Sequence, residues 1–376
     1  MGARQVMIVA GEASGDLHGA ALVREALRLS PDIKFSGVAG PLMRQAGAQA
    51  LFRSEDFSAM GFGELFGSLG HLLRAQFALR RRLRQGGWAA LVLIDFADFN
   101  LRLAAAARKA RVPVLYYISP KVWAWRSGRL KTIRRLVDRM AVILPFEEGL
   151  FRQAGVEATY VGHPLLDSLE GVPGREEARR LLGLPGEGPV VALLPGSRPV
   201  EIERLLGVMS QAAAIIARER PGVRFVLPVA ATLERARLEP HLAGGPPVSL
   251  VSAAPLALAA SEAAIICSGT ATLEAAILQR PMVVVYRASA LSYHIAKRLI
   301  RVDYISLPNL LAGRAVVPEL IQGEATPERI AAETLRLLED PSAQTAGLAR
   351  VRRLLGGPGA AARAAAMLVA MTGGRP

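Results

Sequence analysis

Val6-Met7-Ile8-Val9-Ala10-Gly11-Glu12-Ala13-Ser14-Gly15-Asp16 is a wholly apolar run of five residues, then a glycine, then small and acidic residues. Ala20, Val23 and Leu27 follow at helical spacing. Apolarity without alternation is what a parallel strand requires when helices cover both faces of its sheet. The glycine lets the chain turn tightly and approach a ligand closely. The stretch therefore reads as strand, turn and helix, the opening unit of a parallel α/β sheet.

Working outward, the same succession returns. Residues 90–94, 114–118 and 141–144 are further candidate strands in the first half, and 190–194, 223–229, 264–267 and 282–286 are their counterparts in the second. Longer amphipathic stretches separate them, the pattern of βαβ units. Periodicity breaks at Glu170-Gly171-Val172-Pro173-Gly174. The fold expected is α/β, with two Rossmann-like doubly wound domains facing across a cleft. The boundaries expected are 1–169 and 175–340, followed by helices over 341–376, split at Gly356-Gly357-Pro358-Gly359, that pack back toward an N-terminal domain.

Bulk properties bound the function. With 376 residues, 51% of them hydrophobic, each half can bury a core of its own. The single cysteine, Cys267, lies in an apolar run and reads as a small core residue in a reducing compartment. No signal peptide is expected, because the first apolar run is only five residues long. The longest charge-free run, 242–261, is broken by Gly244-Gly245-Pro246-Pro247 and Pro255, and reads as turn, strand and turn rather than as a membrane span. The net charge of +14 points to acidic partners. Lysine occurs only at Lys34, Lys109, Lys121, Lys131 and Lys297, so the arginine excess also fits a compositional bias, and local concentration is the better guide.

In open parallel sheets the ligand edge lies beyond the carboxyl ends of the strands. Gly11 to Asp16 stand at the first such end, without the Gly-x-Gly-x-x-Gly pattern of a dinucleotide enzyme. Asp95, Asp98 and Asn100 stand at another. Asp95 and Asn100 fit helix capping as well as a site, whereas Asp98 suits a general base that deprotonates a hydroxyl. Ser119-Pro120-Lys121-Val122-Trp123-Ala124-Trp125-Arg126 places two of the three tryptophans beside two cations, an aromatic and cationic wall. In the second half, Pro195-Gly196-Ser197-Arg198 offers a hydroxyl and a guanidinium to a phosphate. Ser268-Gly269-Thr270-Ala271-Thr272 opens a helix whose N-terminus favours an anion, with Thr270 and Thr272 equally fitted to capping. Glu274, one turn in, can accept from ribose hydroxyls. No Asp-x-Asp or other metal-ligand spacing occurs, so no metal is expected.

Together these stretches resemble the bacterial lipid-A-disaccharide synthases, inverting glycosyltransferases of the GT-B fold. Further matches are Gly37-Val38-Ala39-Gly40-Pro41, Met60-Gly61-Phe62, Val161-Gly162-His163-Pro164, and Tyr304 through Ser306-Leu307-Pro308-Asn309-Leu310-Leu311-Ala312-Gly313-Arg314, in order from about residue 6 to 340. The resemblance implies transfer of 2,3-diacylglucosamine from its UDP derivative to 2,3-diacylglucosamine 1-phosphate. The products would be a β-1,6-linked disaccharide 1-phosphate and UDP, with no cofactor. It implies Asp98 as the base. UDP contacts would come from Arg198 and Asn309, beside Gly196, Ser197, Ser268, Gly269, Thr270 and Glu274. Glu12, Ser14, Asn100, Trp123, Trp125 and Arg126 would line the acceptor side. Ala97 replaces a residue that is commonly proline in the family.

The implied location is cytoplasmic, peripheral on the inner face of the cytoplasmic membrane. Leu65, Phe66, Leu69, Leu72, Leu73 and Leu83 fall near one helical face, Phe62 precedes it, and Arg74, Arg80, Arg81, Arg82 and Arg84 follow. This segment fits an interfacial helix on an anionic membrane and equally an ordinary domain helix with a basic side. Expected partners are the two lipid sugars, an anionic membrane surface and a second copy in a homodimer; nucleic acid is not expected. A nucleotide-sugar epimerase such as a UDP-N-acetylglucosamine 2-epimerase is the alternative on the same fold.

Overall fold

The computed structural model describes residues 3–58, 65–122, 128–184, 187–230, 233–289, 293, 298 and 302–373, without side chains at 58 and 65–69. It divides into two units, 1–167 with 357–376, and 168–356.

The first unit is built on seven strands: β1 (Arg4–Ala10), β2 (Ile33–Ala39), β3 (Gln49–Arg53), β4 (Trp88–Ile94), β5 (Val114–Tyr117), β6 (Arg139–Val142) and β7 (Ala158–Tyr160). Their order is β3-β2-β1-β4-β5-β6-β7, every pair parallel. The continuous apolar runs have a direct cause. In β1, Met7 and Val9 face one core while Val6, Ile8 and Ala10 face the other; in β4, Leu91 and Leu93 oppose Ala90, Val92 and Ile94. Alternate residues point to opposite faces, and both faces are dry.

The second unit repeats the plan. Its strands are β8 (Val190–Leu194), β9 (Arg224–Pro228), β10 (Val248–Val251), β11 (Ala263–Cys267), β12 (Met282–Tyr286) and β13 (Glu319–Ile321), in the all-parallel order β10-β9-β8-β11-β12-β13. In each sheet the order reverses beside the first strand, between β1 and β4 and between β8 and β11. Ligands of doubly wound sheets bind at such reversals.

The tail does not stay together. The helix Ser342–Leu354 belongs to the second unit, where Gln344 reaches from it to the main chain of Met282. The helix Ala360–Met371 belongs to the first, and buries Ala364, Ala365, Leu368 and Val369 against the helix Ala13–Leu29. Polar bonds fix its entry: Arg363 Nε donates to the Val161 carbonyl at 2.7 Å, and the Asp167 carboxylate accepts from the backbone N–H groups of Gly359 and Ala360.

The basic helix Leu65–Gln85 also departs from expectation. Leu83 is wholly buried with Ala75 and Leu79, and Leu72 packs on the same core. Leu73 and Phe77, one turn apart, point outward at 53% and 72% exposure. The apolar set thus splits between two faces, as 3.6-residue periodicity requires. Arg81 and Arg82 are exposed, and Arg80 is half-buried, its Nη2 reaching toward the Arg102 carbonyl at 3.5 Å. Phe62 lies outside the described residues, as do the side chains of Phe66 and Leu69.

The cap on the last helix is testable. Asp167→Ala removes the acceptor for two N-terminal N–H groups and is expected to cost about 1–2 kcal/mol, read as a lower urea midpoint with an unchanged slope. No change in midpoint would assign the docking of this helix to its apolar face alone.

Candidate functional site

In the first unit the reversal between β1 and β4 is closed by a turn of unusual geometry. Asp95 and Phe96 both take left-handed backbone conformations, with φ of 44° and 46°. Such conformations cost of order 1–3 kcal/mol each in non-glycine residues, and their surroundings hold them. Asn100 is wholly buried; its Nδ2 donates to the carbonyls of Ile94 (3.2 Å) and Asp95 (2.7 Å). Tyr116 Oη donates to the same Asp95 carbonyl at 2.6 Å. Phe96 stacks on Phe99 at 5.3 Å and covers Gly11, where a Cβ would lie 2.4 Å from the ring. Gly11 is thus required by the ring of a neighbouring turn.

The turn delivers Asp98 to solvent. Its side chain is 76% exposed in the first turn of the helix Ala97–Lys109, and it is ion-paired with Arg129 at the start of the helix Arg129–Leu136. Ala97 occupies the first helical position, where proline is favoured in helices generally. Glu12 and Ser14 are exposed on the adjoining turn after β1. Asp16 is turned inward and accepts from the backbone of Leu42 (2.9 Å) and Met43 (3.0 Å), which caps the next helix.

The Asn100 amide nitrogen is thus spent on the β4 turn, while its Oδ1 is buried without a hydrogen-bond partner among the described residues. Ser119 is likewise buried, and donates to Glu147 at 2.7 Å. Trp123, Trp125 and Arg126 lie outside the described residues. Burial raises the Asp95 carboxyl above its usual range, against the pull of Lys121. His163 is driven down to about 3 by burial, then by His18 and Lys121, and His18 falls to about 4 by burial.

In the second unit the reversal lies between β8 and β11. Gly196, at φ 112°, leaves room for Glu201, whose Oε2 accepts from the backbone of Ser197 (2.9 Å) and Arg198 (3.1 Å). Glu201 therefore shapes the loop while Arg198, held at one nitrogen by Glu201 Oε1 at 3.2 Å, extends into solvent at 80% exposure. On the adjacent strand end, Gly269 and Thr270 are exposed at the opening of the helix Thr270–Ile277, which has no side-chain cap. Burial raises the Glu274 carboxyl, and among the described residues it has no hydrogen-bond partner. Burial pushes the Cys267 thiol up to about 12, with the Glu201 charge adding and Arg198 opposing.

Asn309 is buried with every polar atom engaged: Nδ2 on the Val317 carbonyl and Glu319 Oε1, each 2.9 Å, and Oδ1 on the backbone of Val316 and Val317. It builds a knot around Glu319, which also accepts from Ile305 N, Ser306 N and Ser306 Oγ. Ser268 Oγ donates to the Ile305 carbonyl at 2.9 Å, so the knot positions the loop after β11 and that hydroxyl is used internally. Asn309 and the Ser268 hydroxyl hydrogen therefore shape the loop. Sequence reading missed Arg129, Tyr116, Glu201 and Glu319. Only Glu201 carried a local signal, its capping-box spacing from Arg198.

Two parallel sheets, each with a polar cluster at its reversal, match solved structures over nearly their whole length. The calicheamicin glycosyltransferase superposes with a TM-score of 0.64 at 16% identity, covering 98% of this chain and 99% of that one. The UDP-GlcNAc 2-epimerase from Neisseria meningitidis bound to UDP-GlcNAc gives 0.61 at 11%, covering 98% and 99%. These likenesses define the class, a GT-B-type α/β fold shared by glycosyltransferases and epimerases. Sequence decides within it. The chain is 48% identical to the lipid-A-disaccharide synthase of Syntrophus aciditrophicus, covering 99% of this chain and 98% of the relative, and 47% identical to that of Geobacter metallireducens, covering 98% of each. The family model for lipid-A-disaccharide synthetase matches residues 6–365. The chain belongs to the lipid-A-disaccharide synthase family and is a glycosyltransferase; the epimerase alternative is not favoured.

The depressed histidines set a pH dependence. Unfolded histidines titrate near 6.5, so below that pH the unfolded chain takes up protons that the folded one refuses, and stability falls as pH drops. The decline levels off near the folded values of about 4 and about 3. His163→Gln is expected to flatten part of this slope in urea titrations run from pH 7 to pH 4.5. A slope identical to the parent protein's would contradict the buried neutral imidazole.

Proposed function

We propose that the chain transfers 2,3-diacylglucosamine from its UDP derivative to the primary hydroxyl of 2,3-diacylglucosamine 1-phosphate by an inverting displacement. The observation that carries this reading is Asp98, an exposed carboxylate held by Arg129 at the reversal of the first sheet. Asp98 takes the hydroxyl proton as the oxygen forms its bond to the anomeric carbon. The bond from that carbon to the diphosphate breaks on the opposite face, and UDP leaves with the electron pair. Arg198 and the helix opening at Gly269-Thr270 answer the charge on the diphosphate, and Glu274 accepts from the ribose. Glu12 and Ser14 line the acceptor side, and no step requires a metal or cofactor.

Asp98→Asn keeps the shape and removes the base, with an expected loss of about 10²–10⁴ in turnover and unchanged UDP affinity. Arg198→Ala is expected to weaken UDP binding by about 1.5–3 kcal/mol. The assay supplies both lipid precursors and identifies the product. Disaccharide formation at near-parental rate by Asp98→Asn would remove the proposed base, and loss of UDP without disaccharide would remove the proposed acceptor.

The same reading places the chain peripherally on the inner face of the cytoplasmic membrane, as a homodimer whose mass is read in solution. Among the described residues no helix is long and apolar enough to cross a bilayer. Leu73 and Phe77, flanked by exposed Arg74, Arg81 and Arg84, support interfacial docking. Each arginine near anionic headgroups is worth about 1 kcal/mol. Leu73→Ser with Phe77→Ser is expected to release the protein from anionic vesicles in flotation while activity on short-chain dispersed substrate persists. Unchanged flotation would return this face to ordinary solvent exposure.

A further inference from the structure

The second sheet has a charged end that the proposed reaction does not use. At its N-terminal edge Glu262, just ahead of β11, accepts from Val190 N at 2.7 Å and pairs with Arg179 at 2.6 Å and Arg175 at 3.1 Å. Among the described residues Glu262 is the one carboxylate lining a cleft of ≈ 510 Å³ that also exposes Arg175, Arg280 and Arg352. A second cleft of ≈ 560 Å³ shares Gln279 and Arg352 with it and adds Arg353. The carboxylate already serves two guanidinium groups and a backbone N–H, so the lining keeps a surplus of positive charge.

Arg280 makes the surplus specific. Its Nε is buried and has no hydrogen-bond partner. Burial, then the nearby Arg175, lowers its pKa from the ordinary guanidinium value, with Glu262 opposing and Arg179 adding. A buried cationic donor without an acceptor is costly, and its geometry suits two-point contact with a phosphate. The carbonyl ends of the helices Thr270–Ile277 and Pro327–Glu339 come near this edge, but each supplies only about half a negative charge. One of those carbonyls, on Leu338, is already taken by Arg220 at 3.1 Å. Leu278, Leu337 and Leu338 give the cleft an apolar wall. Its volume lies within the roughly 300–1,000 Å³ of small-molecule sites.

We propose that this edge is a second ligand site, which binds the phosphate or diphosphate group of a phosphorylated small molecule through Arg280, Arg175 and Arg352. It lies at the other end of five-residue strands from the loops at 195–198 and 268–270, about 15 Å along the sheet. A ligand here does not compete for Arg198.

The probe is inorganic pyrophosphate, titrated by calorimetry into the full chain carrying Arg198→Ala, so that the donor loop is disabled. Saturable binding is expected, with a rise in melting temperature. Arg280→Gln, and separately the pair Arg352→Gln and Arg353→Gln, are each expected to weaken binding at least tenfold. The pair lies on an exposed helix surface and keeps the test decisive if Arg280→Gln fails to fold. Vesicles of phosphatidylglycerol form a second arm. Displacement of pyrophosphate by vesicles assigns the phosphate to a lipid headgroup, and lack of displacement assigns it to a free ligand. Absence of saturable binding, or affinity unchanged in the Arg352 and Arg353 pair, overturns the site and leaves these arginines as neutralisers of helix ends.

Discussion

A parallel strand cannot be followed directly by its neighbour, so each must hand the chain to a helix on one face of the sheet. In both units that handover changes face beside the first strand. After β1 the chain enters the helix Ala13–Leu29, which packs with Val6, Ile8 and Ala10; after β4 it enters the helix Ala97–Lys109, which packs with Met7 and Val9 on the other side. The two turns diverge, and the strand ends between them are left uncovered by either helix. Asp98, Arg198, Gly269 and Thr270 stand at such divergences, and Asn100, Tyr116 and Glu201 hold the turns there. The second unit repeats this between β8 and β11, where the loop carrying Arg198 adjoins the loop carrying Gly269 and Thr270.

Placing chemistry at that divergence has a conformational cost. The chain leaves β4 through two left-handed residues, neither of them glycine. A run of glycines would relieve the strain but would also release Asp98, whose position depends on the turn. The strain is instead offset by Asn100 and Tyr116, which hold the Asp95 carbonyl from two directions, and by Phe96, whose ring is seated over Gly11. The motif residues around Asp98 are therefore occupied chiefly in making one turn rigid. Rigidity at the proposed base suits a displacement on a sugar, since misplacement by about 1 Å can cost two orders of magnitude in rate.

The eight apolar runs read from sequence coincide with central strands, because a strand covered on both faces has only one way to look. The strands that escaped notice are those with a mixed environment. β2 carries an exposed Lys34 near its start, β3 is half-buried between exposed Gln49 and Arg53, and β7 and β13 are three residues long. The tail was legible as helices but not in its division, since nothing local records that Asp167, almost two hundred residues away, caps the last one. The internal bonds of Asn100 and Asn309 are hidden from sequence for a related reason. A polar residue within a motif has the same letter whether it faces a ligand or a carbonyl, and only the fold brings Glu319 to Asn309.

What separates the two cases among the acidic residues is the fate of their oxygens. Asp16, Glu147, Glu201, Glu262 and Glu319 each accept from backbone N–H groups, and each thereby fixes a loop or a helix start. A carboxylate so engaged has its lone pairs committed and its position tied to the main chain, so it serves as a clamp. Asp98 and Glu274 stand apart. Asp98 is exposed and paired with the side chain of Arg129. Glu274 is half-buried, and among the described residues its carboxylate has no hydrogen-bond partner. A carboxylate whose burial raises its pKa without a compensating donor is destabilising for the free protein. It becomes favourable once a ligand supplies hydroxyl donors. The clamps thus mark where the fold is being held, and Asp98 and Glu274, one on each unit, are the carboxylates to which the proposed reaction gives a substrate role.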